Sequence, residues 1–252
     1  MQLRSPVIIH VPHSSRLIPR EFRDQFNVSD GEIELIHEAM VDHDTHLMLG
    51  SEMNVVRFPY SRLLVDVERF WSREHEPMES IGMGALYSVD HTLRPIRREL
   101  SNDEVSDLRE IYDEHHRRLG GACLDALQEH GRCVILDLHS YPSSRQPYEQ
   151  NYGARPQLCV GTDSFHTPEW LFRIVSQLAR ENGFEVGENS PFEGSMVPLA
   201  SFGSDRRVSS VMLEWRRDIY RVDGRSNPGA IDRIRKIVTL IHDQVAAHEE
   251  AQ

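Results

Sequence analysis

Short apolar runs rich in β-branched residues recur along the chain: "PVIIHV", "NVVRF", "SRLLVDV", "CVILDL", "QLCVG" and "VSSVMLEW". Runs of this length bounded by turn residues predict strands, and unbroken apolarity predicts strands buried on both faces. Between several of them apolar positions recur at the spacing of amphipathic helices. The helix ends carry their own signals. Ser29 to Glu32 and Ser101 to Glu104 read as capping boxes, and Gly131 and Gly183 as C-terminal stops. Thr167-Pro168 and Asn227-Pro228 read as caps followed by proline in the first turn. The first helix is expected to run from Ser29 towards Met48. Strands alternating with such helices predict an α/β fold with a mostly parallel, mixed central sheet and helices on both faces. No repeat, low-complexity block or Gly/Ser linker interrupts the pattern. Residues 1–252 are therefore expected to form a single domain, with a loop-rich insertion around 71–94 over the sheet.

Composition narrows the function classes. The 252 residues carry a formal net charge of −12, which disfavours a phosphate-tracking surface and argues against nucleic acid as a partner. No apolar run approaches the ~18 residues of a membrane span. The stretch "MQLRSPVIIHVPHSS" is too short and too broken by His and Pro to read as a signal peptide. Cys123, Cys133 and Cys159 form no CxxC pair, and an odd count argues against a disulfide framework. A reduced cytoplasmic protein with buried thiols is expected.

In an open α/β sheet, ligands bind outside the carboxyl ends of the strands. That is where the polar residues of this chain gather. "CVILDLHSYP" ends in Asp137 and His139, "VIIHVPHSS" in His13, "RLLVDVERF" in Asp66, Glu68 and Arg69, and "SVMLEWRRD" in Glu214 and Arg216. In "MVDHDTH", Asp42 and His46 are four apart and would share a helical face. Two strand-end histidines plus one carboxylate make a zinc set with a position left open for water, as a hydrolytic site requires. Taken singly, each has an ordinary alternative. A strand-end histidine is commonly a hydrogen-bonding residue of the core, and among 14 histidines a helical one is commonly solvated, the reading given to His115, His116 and His130. Asp137, on the same strand face as His139, would either orient that ring or cap a loop. Arg62 and Arg69 have abundant carboxylates to pair with. The joint pattern is what points to a metal site. Other chemistries lack support: there is no GxSxG elbow, no GxGxxG and no Walker loop. Cys133 and Cys159 lie in apolar strand runs where thiols are inert.

The segments "VPHSSRLIP", "MVDHDTHL", "RFPYSRLLVDVER", "ILDLHS" and "VMLEWRRDIY", in this order from Val11 to Tyr220, resemble the N-formylglutamate amidohydrolase family, relatives of the zinc carboxypeptidases and aspartoacylases. The resemblance implies a phosphorylase/hydrolase-like fold and zinc-dependent hydrolysis of an N-acyl amino acid. N-formyl-L-glutamate is the first candidate, with a place in histidine breakdown. It implies His13, Asp42 and His139 as metal ligands, with His46 or Asp44 as alternatives to Asp42. Glu214 would be the catalytic base and Arg62 the group facing the oxyanion. Arg69 and Arg216 would hold the carboxylates of a small acidic substrate. Zinc is the expected ion, although mixed His and carboxylate ligands suit other divalent metals. Two segments depart from the family. Glu68 stands where it usually has Asn, and "PFEGSMVPL" only loosely resembles its glycine-rich loop. Both bear on the identity of the acyl amino acid. A different N-acyl amino acid or small peptide is the second expectation, and a non-catalytic binding protein on the same scaffold the third.

Overall fold

The computed structural model describes residues 5–149 and 153–250; the first four and last two residues of the expected 1–252 domain lie outside them. The elements in chain order are β1 (Val7–Val11), α1 (Asp30–Met40), β2 (Asn54–Arg57), α2 (Asn102–His130), β3 (Cys133–Tyr141), β4 (Leu158–Gly161), α3 (Glu169–Glu181), β5 (Val186–Glu188), β6 (Val208–Arg216) and α4 (Pro228–Glu250). The expected mostly parallel, mixed central sheet is present. One sheet has the order β2-β1-β3-β6-β4-β5, parallel throughout except where β4 runs antiparallel to β6. A two-stranded hairpin, Arg221–Val222 with Arg225–Ser226, stands apart.

The sheet is covered on both faces, as continuous apolar strands demand. Val7, Ile9, Leu136, Val211 and Leu213 pack with Leu171 and Val175 of α3 and Ile234, Val238 and Ile241 of α4. The alternate residues Ile8, Cys133, Ile135 and Val208 face Leu119, Cys123 and Ala126 of α2. This is the period of two in side-chain direction that a pleated strand imposes. Both capping boxes form, and Gly131 takes the left-handed conformation (φ 75°) that ends α2. Asn227 caps α4 by accepting from the backbone N–H groups of Gly229 and Ala230. The three cysteines are buried thiols outside any disulfide. No helix among the described residues is long and apolar enough to cross a membrane.

Two expectations give way. α1 stops at Met40, with Val41 extended and Asp44 left-handed, so Asp42 and His46 do not share a helical face. "SRLLVDV" is no strand. Apart from a single bridge between Ser61 and Ser15 it runs in turns, although Leu63, Leu64, Val65 and Val67 are fully buried. Its β-branched residues are spent on burial beneath irregular backbone, a tertiary context that overrides strand propensity. The stretch 71–94 contains one short 3-10 helix, Pro77–Ile81, and is otherwise irregular apart from a single bridge of Val89 to Pro95.

Candidate active site

The carboxyl ends of β1, β3 and β6 and the segments 40–42 and 62–70 surround one cavity of about 390 Å³. His13 follows β1 after Pro12, whose ring ends the strand. His139 lies inside β3 and pairs in register with Glu214 of β6, which sets the imidazole and the carboxyl side by side across adjacent strands. Asp42 is brought in by its backbone, whose N–H donates to the His13 carbonyl at 2.9 Å. The loop from Phe192 to Leu199 forms a further wall. It comes close because Gly161 has no side chain: a Cβ there would lie 2.5 Å from the Gly194 carbonyl oxygen.

The histidine pair faces carboxylates on all sides. His13 Nε2 is 2.9 Å from Asp66 Oδ1, and its Nδ1, fully buried, has no hydrogen-bond partner. That free nitrogen lies 3.6 Å from Asp42 Oδ2 and 3.7 Å from Glu68 Oε2. His139 Nδ1 is 3.0 Å from the same Asp42 oxygen, and His139 Nε2 is 3.2 Å from Glu68 Oε2. One ligand atom from each of His13, Glu68 and His139 lies within 4.8 Å of the others. Burial alone would strip both imidazoles of their protons, yet the surrounding carboxylates raise both pKa values, that of His139 far above the usual range. Asp42, although buried, is held low by the two histidines. Such a site is built for positive charge. A free buried Nδ1 whose sister nitrogen is engaged by a carboxylate is the arrangement of a metal-binding histidine, so these residues fit the metal that the sequence implies.

The arginines divide. Arg62 lines the cavity and is anchored: Nη2 donates to Asp66 Oδ2 at 2.8 Å and meets the Tyr87 hydroxyl at 3.0 Å. Arg69 lines it too, with its Nε buried and without a hydrogen bond. Arg216 does not. Its guanidinium turns to Asp218 Oδ1 at 2.7 Å and to the Arg155 carbonyl, outside the cavity in which a substrate-binding role was expected of it. Arg217 takes the cavity position instead and ties Asp42 Oδ1 (3.3 Å), the Ala39 carbonyl (2.6 Å) and the Ser140 carbonyl (3.1 Å) together. Nor do the alternatives to Asp42 reach the histidines. Asp44 is bound by Ser226 and faces Arg221 at 3.5 Å, and neither it nor His46 lines the cavity. Glu214 is 8% exposed, and its Oε2 has no hydrogen-bond partner. Burial, with a smaller push from Asp42, raises its pKa to about 7 against the pull of His139 and the arginines.

The family model for N-formylglutamate amidohydrolase matches residues 5–221. The chain belongs to this family. The fold agrees with it: a solved N-formylglutamate amidohydrolase from Ralstonia eutropha JMP134 superposes with a TM-score of 0.82 at 22% identity, covering 98% of this chain and 95% of that one. A gene product from Agrobacterium tumefaciens superposes with a TM-score of 0.69 at 18% identity, covering 98% and 93%. No curated protein matches in sequence. Family membership supports hydrolase activity of the amidohydrolase class. Sequence reasoning reached His13, Asp42, Arg62, Arg69, His139 and Glu214 as cavity residues but gave no role to Tyr87 or Arg217. Arg217, next to Arg216 in sequence, is turned to the cavity by the end of β6. Tyr87, within the irregular stretch 71–94, carried no signal.

Proposed function

We propose that the protein is a zinc-dependent amidohydrolase of small acidic N-acyl amino acids, with N-formyl-L-glutamate, cleaved to L-glutamate and formate, the first substrate to try. The observation that carries this is Glu214: a buried carboxyl with a free oxygen, poised near neutrality beside an imidazole whose neighbours collect positive charge. His13, Asp42 and His139 would hold the metal. Asp42 is favoured as the third ligand because one of its oxygens stands within 3.6 Å of Nδ1 on both rings. When bound, the metal supplies Lewis acidity and makes water a competent nucleophile near neutral pH.

The remaining work falls to the chain's own side chains. Glu214 takes the proton of the attacking water and returns it to the leaving amine, a task suited to a carboxyl tuned close to the working pH. Arg62, locked by Asp66 and Tyr87, faces the developing oxyanion as a fixed cation in a site with little water. Arg69 offers its guanidinium to a substrate carboxylate, whose two oxygens match the fork. These basic groups explain how a chain of net charge −12 would accept an acidic ligand, since a local field can oppose the net charge. In this reading it works in the cytoplasm on an intermediate of histidine breakdown. Glu68 in the same cavity favours a second reading, another N-acyl amino acid or a small peptide.

Metal content of the purified protein, measured beside glutamate release from N-formylglutamate with and without a chelator, tests the proposal. About one zinc per chain at this site, with chelator-sensitive release, is expected. Metal without release moves the search to N-acetyl and dipeptide substrates. Absence of both after added zinc leaves a binding protein on this scaffold.

A further inference from the structure

A second set of ligand atoms lies against the first. His10 of β1 pairs in register with Asp137 of β3, and its Nδ1 is 2.8 Å from Asp137 Oδ1 and 3.5 Å from Glu68 Oε1. One ligand atom from each of His10, Glu68 and Asp137 lies within 4.8 Å of the others. His10 is wholly buried, while Glu68 and Asp137 open onto the cavity. The hydrogen bonding around them is incomplete. Glu68 Oε1 is buried without a partner. So is His139 Nε2, on a side chain 4% exposed, although Asp137 Oδ1 stands 3.1 Å away and Glu68 Oε2 3.2 Å away.

The far side of His10 is also prepared. Its Nε2 meets His115 Nε2 at 2.9 Å. The two nitrogens can share only one proton between them, and His115 Nδ1 is buried without a hydrogen-bond partner, so the His115 ring can accept at Nε2. A ligating histidine usually donates its second N–H to such an acceptor, which leaves the first nitrogen as a lone pair. For His10 the lone pair would then face two carboxylates, an arrangement that a cation between them stabilises.

We propose that His10 Nδ1, Glu68 and Asp137 bind a second divalent cation, making the centre dinuclear with Glu68 between the two ions. This rests on the reading that His13, Asp42 and His139 hold the first. One imidazole and two carboxylates suit zinc, manganese or cobalt. The second ion gives Glu68 a purpose: its charge, which would repel an acidic substrate from the cavity, is offset at the ion rather than presented to the ligand.

The test uses the full chain, stripped by chelator, reloaded with zinc and passed through gel filtration. Metal is counted by mass spectrometry, and the ions are located by anomalous diffraction at the zinc edge. Two equivalents are expected, with a second peak bounded by His10, Glu68 and Asp137. His10→Gln and Asp137→Asn should each lower the count to one while the peak at His13 and His139 persists, with thermal melting to check folding. A single equivalent in the unaltered protein, or a second peak elsewhere, overturns the second site and leaves the first intact. No bound metal at all overturns the reading on which it rests. If neither variant folds, the count and map of the unaltered protein decide.

Discussion

His139 and Glu214 face each other across the ladder between β3 and β6, whereas Asp42, Arg62 and Glu68 reach the same cavity, and Asp66 the side chains behind it, from backbone with no ladder at all. The strand residues are placed by the sheet, whose hydrogen bonds hold them whatever their side chains do. The others depend on side-chain bonds. Asp66 alone accepts from Arg62, from the Tyr87 hydroxyl at 2.5 Å and from the Glu68 backbone N–H at 3.0 Å, and contacts His13. The two regions should therefore fail differently. Substitution on a strand removes a chemical group and leaves the scaffold. Substitution in an irregular segment keeps the reacting groups and loosens them.

The largest effects belong to the strands. His139→Ala should lose stoichiometric metal, measured by mass spectrometry, and lower kcat/KM by about a thousandfold or more, since a Lewis acid contributes several kcal/mol. Unchanged metal content would show that the imidazole is not a ligand. Glu214→Gln should retain metal while kcat falls by ~10²–10⁴, the range for a positioned general base. The base works only when ionised, so kcat/KM should rise with pH through about 7, and the variant should lose that limb. Stability runs the other way. The folded pKa of Glu214, about 7, lies above the unfolded carboxyl value, so its contribution is fully present at low pH and is lost as pH rises through about 7. In chelator-treated protein at pH 8, Glu214→Gln should melt at a higher temperature than the unaltered chain. Equal melting temperatures would place Glu214 in a wetter environment than its burial indicates.

The irregular segments should give intermediate effects. Asp66→Asn keeps the shape but weakens the anion that engages His13 Nε2 and Arg62. Loss of such a carboxylate behind a ligating histidine commonly costs ~10–100-fold in metal affinity. Competition with a chelating dye would measure it. A shift as large as that of His139→Ala would abolish the distinction between the two regions.

That distinction also governs what the sequence made legible. Strands of unbroken apolarity ending in "DLHS" and "LEWR" announce both the buried sheet and the end where chemistry gathers, because strand period and ligand position follow from local rules. The caps of α1 and α2 are equally local. "SRLLVDV" misled for a physical reason: its apolar residues are buried, as in a strand, but under turns that no pattern of period two encodes. "DHDTH" misled because α1 ends two residues before Asp42. There the resemblance to the family chose the residue whose carboxylate does touch the histidines, where helical spacing would have paired it with His46. Glu68 was noticed as an anion out of place, but only the fold shows His10, His13 and His139 around it.

The smallest effects should come from neighbours in sequence that the end of β6 separates in space. Arg216 spends its guanidinium on Asp218 and a carbonyl outside the cavity, a half-exposed pairing of the kind worth ~0–1 kcal/mol. Arg216→Ala should therefore change KM by less than about twofold. Arg217 closes the gap between Ala39 at the end of α1 and Ser140 in β3, with Asp42 held between them. Without it, Asp42 keeps its backbone bond to His13 but loses the cation that aims one oxygen away from the histidines. Arg217→Ala should weaken metal binding by about tenfold, by the same argument as for Asp66. The two variants differ by one position and one guanidinium each, so the contrast isolates place from charge. A KM rise in Arg216→Ala well beyond twofold would mean that the substrate draws Arg216 into the cavity, and that the turn after β6 rearranges when the site is filled.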